Sequence, residues 1–337
     1  MRKLAVVTAL LTLLLAGCVS RQDSSAPSEA PETVALSELS NLTLNVGDQK
    51  GGTEALLRAA DALDNLPYKI AFSTFTSGPP QIEAATAGKI DFAITGNTPP
   101  IFGAASNAKV KVVSAYDGSG RGDKILVNAD SAIRAVSDLR GKKIAVGKGS
   151  SAHGNVLAQL HRAGLSPSDV ELVFLQPADA LGAFRQRQVD AWAIWDPYTA
   201  QAEADIPVRS IAEADGVTNG AGFGIASDAA LADPKRNTAL NDLLVRYAKA
   251  TRWALDNPEE WAASYAAAVG LDPAVATAAQ GRSLRLPTDL SDQLVASEQE
   301  LADLFVESNQ ISDKPEFKNW VDNRYSESLA PLYLDRN

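Results

Sequence analysis

The sequence predicts an α/β fold in which helices cover both faces of a mostly parallel sheet. Short β-branched or apolar runs alternate with longer amphipathic runs over the first two thirds of the chain. These short runs are apolar almost throughout rather than at every second position, which is typical of strands buried on both faces. The final third, from about Leu240, is rich in Ala, Leu and charged residues and is predicted to be mainly helical.

Eight segments have the composition of strands. In chain order they are residues 42–46, 68–72, 92–94, 110–115, 125–127, 143–146, 172–175 and 191–194. Between them, apolar residues recur at helical spacing in residues 54–63, 80–87, 151–163 and 179–187. The body of the chain, about 41–333, is long enough for two domains, and we find no convincing internal repeat.

The amino-terminal residues predict export and lipid attachment. Arg2 and Lys3 precede a short apolar run, and small residues follow it, as in a signal peptide over residues 1–17. Residues 15–18 read Leu-Ala-Gly-Cys, the pattern of a lipobox in which Cys18 is acylated; the alternative is an ordinary signal peptide with an incidental cysteine. Residues 18–40, rich in Ser, Pro, Ala and Glu, are predicted to be a flexible tether outside the cytoplasm.

Composition argues against several other functions. The net charge is −10, or −12 once Arg2 and Lys3 are removed, and an acidic chain without basic clusters is a poor candidate for nucleic-acid binding. His153 and His161 are the only histidines and Cys18 is the only cysteine, so no metal site, other cofactor site or thiol nucleophile is predicted. The sequence therefore favours a binding protein over an enzyme or a passive surface protein.

In open α/β sheets, ligands bind beyond the carboxyl ends of strands, and the first two loops of this kind are rich in glycine. Residues 47–52 join the first predicted strand to the first helix, and their glycines allow a ligand to approach the backbone. Residues 95–100 place Gly96 and Thr98 after the third strand, ahead of two prolines. Each loop is either part of a binding site or a plain turn, and Lys50 is either a ligand contact or a solvated lysine.

The third and fourth loops carry more specific chemistry. Ser150 and Ser151 stand at a predicted helix start, where free amides, hydroxyls and the helix dipole form an anion site. His153 is either a further contact or a packing residue. In the fourth loop, Trp195 is predicted to wall a pocket while Asp196 orients nearby donors, although core packing is the simpler interpretation of such tryptophans.

Four motifs, in this order and spacing, resemble the substrate-binding proteins of ABC importers for aliphatic sulfonates, a group that includes taurine and nitrate binders. They are GDQKG at 47–51, TGNTPPIF at 95–102, KGSSAH at 148–153 and DAWAIWDPY at 190–198. The segment SDLRGKK at 137–143 resembles that family's entry to its second domain. The likeness covers most of the chain, from about Leu42 to about Tyr325, and the motif at 190–198 is the most specific of the set.

The resemblance implies a two-lobed periplasmic-binding-protein fold (type II), with two crossover strands and a ligand cleft between the lobes. Lobe 1 is expected to comprise residues 41–126 and 222–337, and lobe 2 residues 127–221. The expected ligand contacts are Gln49, Gly96, Asn97, Ser150, Ser151, His153, Trp195 and Asp196.

One departure bears on the ligand. Sulfonate binders often show Asp where this chain has Asn97, which leaves fewer carboxylates to meet an amine on the ligand and makes taurine less attractive. The resemblance implies an alkanesulfonate ligand, a membrane permease as partner and a monomeric, lipid-anchored protein. Taurine, nitrate or another small anion is the alternative, and an enzyme of pyrimidine or menaquinone biosynthesis on the same fold is a remote one.

Overall fold

The computed structural model describes residues 32–50 and 52–334; the signal peptide, Cys18 and the first part of the predicted tether lie outside the described residues. The described residues form eleven strands. They are β1 (Thr43–Gln49), β2 (Lys69–Phe75), β3 (Phe92–Gly96), β4 (Val110–Asp117), β5 (Lys124–Asn128), β6 (Lys143–Val146), β7 (Glu171–Phe174), β8 (Ala191–Ile194), β9 (Val208–Glu213), β10 (Gly222–Ser227) and β11 (Leu286–Thr288).

Twelve α-helices accompany these strands within the described residues. They are α1 (Gly52–Ala59), α2 (Gly78–Thr86), α3 (Thr98–Ala105), α4 (Ser151–Arg162), α5 (Pro177–Arg185), α6 (Tyr198–Asp205), α7 (Asp228–Ala232), α8 (Pro234–Asp256), α9 (Pro258–Val269), α10 (Pro273–Ser283), α11 (Asp292–Glu307) and α12 (Ser326–Leu329). Within the described residues, no helix has both the length and the apolar character needed to cross a bilayer.

The strands form two separate sheets, which define two lobes. The sheet of lobe 1 has the order β11-β4-β10-β3-β1-β2, and that of lobe 2 has the order β7-β6-β8-β5-β9. The chain passes between the lobes over residues 118–123 and again over residues 214–221. These two crossovers lie side by side, since the Ala214 amide donates to the Asp123 carbonyl at 2.9 Å.

Both sheets are mixed rather than mostly parallel. β1 is parallel to β2 and β3, and β6 is parallel to β7 and β8. The strand that follows each crossover, β5 or β10, is inserted antiparallel between two others. The expectation of a mostly parallel sheet therefore fails at these insertions, because a chain returning from the other lobe enters the sheet in the opposite direction.

Two of the expected boundaries need correction. The boundary between Leu126 and Val127 falls inside β5, which belongs wholly to the sheet of lobe 2. The expected tether also extends too far, because Leu39 is fully buried in the core of lobe 1 and the Val34 amide donates to Thr238 Oγ1 at 3.1 Å. Residues 34–40 are thus part of the globular body.

Each lobe has its own apolar core. One buried cluster joins β1 to α1, α8 and α9, and a second lies beneath the sheet of lobe 2 around Phe184 and Trp192. A third cluster, around Phe223 and Phe305, belongs to lobe 1 but includes Leu157 of α4 in lobe 2. The lobes are therefore packed against each other along one side of the space that separates their sheets.

Candidate functional site

A cleft lies between the lobes at the carboxyl ends of the strands, beside the crossovers. It encloses about 1100 Å³, including its open mouth. Residues from both lobes line it, among them Gln49, Asn97, Asp123, Ser151, Trp195, Asp196, Tyr247, Trp261, Arg282 and Arg285. The topology produces this position, because helices in both lobes begin where strands end at this edge.

The amino-terminal ends of four helices meet at the cleft. Its lining includes Thr53 in the first turn of α1, Asn97 before α3, Ser151 at the start of α4 and Pro197 before α6. Free backbone amides and the helix dipoles give each of these ends a partial positive charge. Because two helices come from each lobe, this charge surrounds the space between the lobes and favours an anion there.

The turn before α1 is held by a buried carboxylate. Asp48 Oδ1 accepts a hydrogen bond from the Thr53 amide at 2.8 Å, so Asp48 rather than Thr53 caps the helix. Burial raises the pKa of Asp48 to about 6, although the Thr53 amide opposes this shift. This arrangement leaves the next residue, Gln49, facing the cleft.

Gly96, Ser151 and Arg285 converge on one point of the cleft. A Cβ atom placed on Gly96 would lie 3.1 Å from Ser151 Cβ and 3.7 Å from Arg285 Nη2. The absence of a side chain at Gly96 therefore lets the Ser151 hydroxyl and the Arg285 guanidinium approach the Gly96 backbone closely. A group bound there would contact lobe 1 through Gly96 and Arg285, and lobe 2 through Ser151.

Arg285 is a cleft residue that our interpretation of the sequence missed. It lies between α10 and β11, and its Nη1 donates to the Thr95 carbonyl at 3.3 Å. Its side chain passes over Gly222, where an added Cβ would come within 2.7 Å of Arg285 Cδ. Within the described residues Arg285 takes part in no ion pair, so its positive charge is available to a ligand.

Asp196 binds an arginine from the other lobe rather than facing the ligand space freely. Its carboxylate accepts hydrogen bonds from Arg282 Nε at 2.6 Å and Nη2 at 3.0 Å, and Arg282 Nη2 also reaches Glu203 at 2.8 Å. Burial raises the pKa of Asp196, and the bonds from Arg282 oppose that rise. Because Arg282 belongs to lobe 1 and both acids to lobe 2, these contacts connect the lobes beside the cleft.

Asn97 is similarly committed to a network at the return crossover. Its Nδ2 donates to Asn219 Oδ1 at 3.0 Å, and Asn219 Nδ2 donates to Glu298 Oε2 at 2.7 Å. Glu298 is fully buried, and burial raises its pKa to about 8 while the bond from Asn219 opposes the shift. The position where sulfonate binders often carry Asp therefore connects the second loop to the crossover and to α11.

The structure places two of the expected contacts away from the cleft. The Ser150 hydroxyl donates to the Gly147 carbonyl at 2.7 Å and caps α4 by accepting from the His153 amide. His153 is fully buried, with its ring 5.0 Å from that of Phe305 and 6.0 Å from that of Phe102. Burial, assisted by the charge of Lys148, lowers the His153 pKa to about 3, so the ring is neutral. His153 packs between the lobes.

Aromatic side chains form another part of the cleft wall. Trp195 lines it from lobe 2, and Tyr247, Trp261 and Tyr265 line it from α8 and α9 of lobe 1. We predicted Trp195 from the motif at its strand end, whereas the other three belong to ordinary amphipathic helices and have no local signature. Together they provide an apolar and π-rich surface beside the polar point formed by Gly96, Ser151 and Arg285.

Residues 75–261 match the NMT1/THI5-like family. A protein of Bacillus subtilis (strain 168), named for the binding of aliphatic sulfonates, is 32% identical over 330 residues, which cover 96% of each chain. The alkanesulfonate-binding protein SsuA from Xanthomonas axonopodis pv. citri, solved bound to MOPS, is 31% identical with a TM-score of 0.78. That alignment covers 83% of this chain and 98% of the other.

The periplasmic aliphatic sulphonate binding protein SsuA from Escherichia coli is also similar in structure. It is 32% identical with a TM-score of 0.73, over 83% of this chain and 92% of that one. These matches confirm the predicted resemblance and the two-lobed fold. The chain belongs to the NMT1/THI5-like family, as a member of the group of aliphatic sulfonate-binding proteins with the periplasmic-binding-protein fold.

Proposed function

We propose that this chain is the extracytoplasmic solute-binding protein of an ABC importer and that it captures aliphatic sulfonates. The observation that carries the proposal is the convergence on one cleft of four helix amino termini and of Arg285, which forms no ion pair within the described part of the chain. A sulfonate stays ionised and accepts several hydrogen bonds without needing an acceptor in return. Amide, hydroxyl and guanidinium donors satisfy this requirement, and bonds to a charged group contribute about 1.5–3 kcal/mol each before the costs of association.

The aromatic residues in the cleft lining favour an organic sulfonate over a small inorganic anion as the ligand. Sulfate or nitrate has no tail to cover the surface of Trp195, Tyr247 and Trp261. An alkyl or aryl tail would cover the small area that these largely buried rings still expose, and gain about 25 cal/mol for each Å² of apolar area removed from water. Taurine, nitrate and other small anions are the competing ligands. A thermal-shift screen separates the inorganic anions from the sulfonates, and calorimetry separates taurine from 1-propanesulfonate.

Binding in this proposal requires closure of the cleft, because the donors come from both lobes. Gln49 and Gly96 approach the ligand from lobe 1 and Ser151 from lobe 2. A ligand that contacts both lobes favours the closed form over the open one by its difference in affinity for the two. A permease that recognises the closed form would then receive only loaded protein. The protein acts as a monomer and performs no catalysis.

We further propose that Cys18 carries the lipid that holds the protein at the outer face of the cytoplasmic membrane. Two acyl chains bind a membrane stably, whereas one gives only marginal attachment. Replacing Cys18 by Ser should release the protein into the soluble fraction of cells that express the full chain. Retention of the Cys18→Ser variant in the membrane pellet would refute the anchor.

A thermal-shift screen of residues 32–337 tests the ligand class. Ligands that bind only the folded state raise the melting temperature in proportion to the logarithm of their concentration above Kd. We expect large upshifts with alkanesulfonates, and none with nitrate or sulfate at equal concentration. The buffer must contain no sulfonate. An upshift with nitrate or sulfate but not with alkanesulfonates would show that the ligand is an inorganic anion. If none of these compounds raises the melting temperature, the proposed function is wrong.

A further inference from the structure

Asp123 is a second carboxylate in the cleft, besides Asp196. It lies at the end of the first crossover, immediately before β5, and lines the cleft beside Ser151 and Asp196. Ser151 is near enough for its hydroxyl to lower the pKa of the Asp123 carboxyl. Within residues 32–50 and 52–334 it forms no ion pair, whereas the neighbouring Asp196 is bound by Arg282.

The cleft therefore contains two charges of opposite sign that do not pair with each other. Arg285 and Asp123 both line it, and their charged atoms are more than 4.0 Å apart because no ion pair joins them. Partly buried charges cost free energy unless a partner compensates them. Within the described residues Lys50 also lines the cleft without an ion pair, and its ammonium lies 5.5 Å from the centre of the Tyr198 ring. Of the two carboxylates in the lining, Asp196 is bound by Arg282 and Asp123 by no cation, so Asp123 is suited to a positive group on the ligand.

Ser151 shows that the two charges act on the same ligand. Its side chain lies beside Gly96 and Arg285 at the proposed sulfonate position, and it shares the cleft lining with Asp123, whose pKa its hydroxyl lowers. An anion at that position would be close to the carboxylate as well as to the guanidinium. Two anions in the same partly buried site repel each other. Neutralisation of Asp123 would therefore favour the binding of a sulfonate.

We propose that the ligand itself neutralises Asp123, and that this protein selects zwitterionic sulfonates whose ammonium group binds the Asp123 carboxylate. This inference rests on the proposed function. The sulfonate lies at Gly96, Ser151 and Arg285, and the ammonium group lies toward the crossover. Asp123 thus supplies, from a different part of the fold, the carboxylate that the sequence motif lacks at Asn97.

The aromatic wall supports a cationic group on the ligand. Tyr247 and Trp261 line the same cleft as Asp123, and aromatic faces attract ammonium groups within about 6 Å of the ring centre. MOPS, with which the Xanthomonas protein was solved, is a sulfonate that carries an amine on its tail. A ligand of this kind matches a site that combines a guanidinium, a carboxylate and π surfaces.

Protonation is the alternative way in which the Asp123 carboxylate could be neutralised. Burial raises the pKa of Asp123 to about 6, while the Ser151 hydroxyl and the charge of Arg285 oppose the shift. A bound anion would raise this pKa further, so a plain alkanesulfonate would bind with uptake of a proton and more tightly at pH 5 than at pH 7.5. A zwitterion that neutralises Asp123 keeps its affinity at pH 7.5.

Titration calorimetry with two ligands of matched shape tests the inference. Taurine and 1-propanesulfonate have the same chain length and differ by an ammonium in place of a methyl group. For the intact protein at pH 7.5 in a sulfonate-free buffer, we expect taurine to bind at least ~10-fold more tightly, the typical effect of one charge-assisted contact. Asp123→Asn should remove this preference by weakening taurine alone, while Asp215→Asn should preserve it.

Asp215 is a suitable control because it lies on the other crossover, is exposed and does not line the cleft. Equal or tighter binding of 1-propanesulfonate by the wild-type protein overturns the inference but keeps the proposed function, and it does so without any variant. Retention of the taurine preference by Asp123→Asn also overturns it. If neither sulfonate binds, the proposed function fails and this inference fails with it.

Discussion

The two sides of the cleft differ in how the chain builds them. The loop side consists of Gln49, Gly96, Ser151 and Trp195, each at or just beyond the carboxyl end of a strand. The hinge side consists of Asp123, Arg282 and Arg285, which lie on or beside the crossovers. Apart from Lys50 and Asp196, the loop side offers neutral donors and a ring, whereas the hinge side carries formal charges. This difference indicates that the loops shape the pocket and the hinge side sets the charge of the ligand.

This division has a structural reason. Strand-end loops project into the cleft wherever a sheet of this topology meets a partner, so their backbone amides are available in any member of the fold. Charged side chains must instead be brought from a distance, and here they pass over residues without side chains. Arg285 passes over Gly222, and the Asp196 carboxylate that holds Arg282 lies against Gly122.

The largest effect should follow from the hinge side. Arg285→Gln removes the guanidinium but retains a donor, and we expect sulfonate affinity to fall by about 100-fold because the bond to a charged group is lost. Calorimetry with the best sulfonate measures this change. Arg121→Gln, at an exposed position outside the cleft, is the control. A loss below threefold for Arg285→Gln would place the anion elsewhere.

The hydrogen-bonded network of Asn97, Asn219 and Glu298 should make the stability of the fold depend on pH. Glu298 is neutral in the folded protein up to about pH 8 but ionises near 4.5 in the unfolded chain. Between these values the unfolded chain binds fewer protons, so this group lowers stability as the pH rises and its effect levels off above pH 8. We therefore expect Glu298→Gln to be more stable than wild type by about 2 kcal/mol at pH 8 and nearly equal at pH 4.5.

Urea unfolding at the two pH values measures this difference. Glu300→Gln, on an exposed position of the same helix, controls for the change in net charge. A Glu298→Gln variant whose stability relative to wild type is the same at both pH values would contradict the assignment of a neutral buried carboxyl.

On the loop side, substitution of Ser151 should affect ligand binding, whereas substitution of Ser150 should affect stability. Ser151→Ala removes a hydroxyl in the cleft, so we expect a loss of sulfonate affinity of about tenfold with an unchanged melting temperature. Ser150→Ala removes a helix cap and should lower the free energy of unfolding by about 1 kcal/mol while affinity changes little. Calorimetry and thermal unfolding of both variants measure the contrast. The opposite assignment of effects would contradict the placement of these hydroxyls.

Local sequence patterns predicted much of the fold and the loop side of the site. Predicted strands such as 143–146 coincide with structural ones because their apolar residues are contiguous. β9 and β10 were missed, since β9 is only half-buried and β10 contains two glycines within six residues. β9 precedes the second crossover between the lobes and β10 follows it, and local sequence patterns do not indicate where the chain crosses from one lobe to the other.

The hinge side was not predictable in the same way. Arg285 and Asp123 are single charged residues with no motif around them, and only tertiary structure shows that they face a cleft and have no ion-pair partner among the residues that the structure describes. His153 gave the opposite error. It lies in the motif that most resembles an anion-binding site, yet its ring points away from the cleft and contacts aromatic rings between the lobes.

A crystal structure of the protein with a bound alkanesulfonate tests the central claim most directly. We predict that the sulfonate oxygens lie at hydrogen-bond distance, about 3 Å, from both the Arg285 guanidinium and the Ser151 hydroxyl or the Gly96 amide. The ligand would then touch both sides of the cleft at once. A sulfonate bound outside the cleft, or held by the loop side while Arg285 points away, would contradict the account.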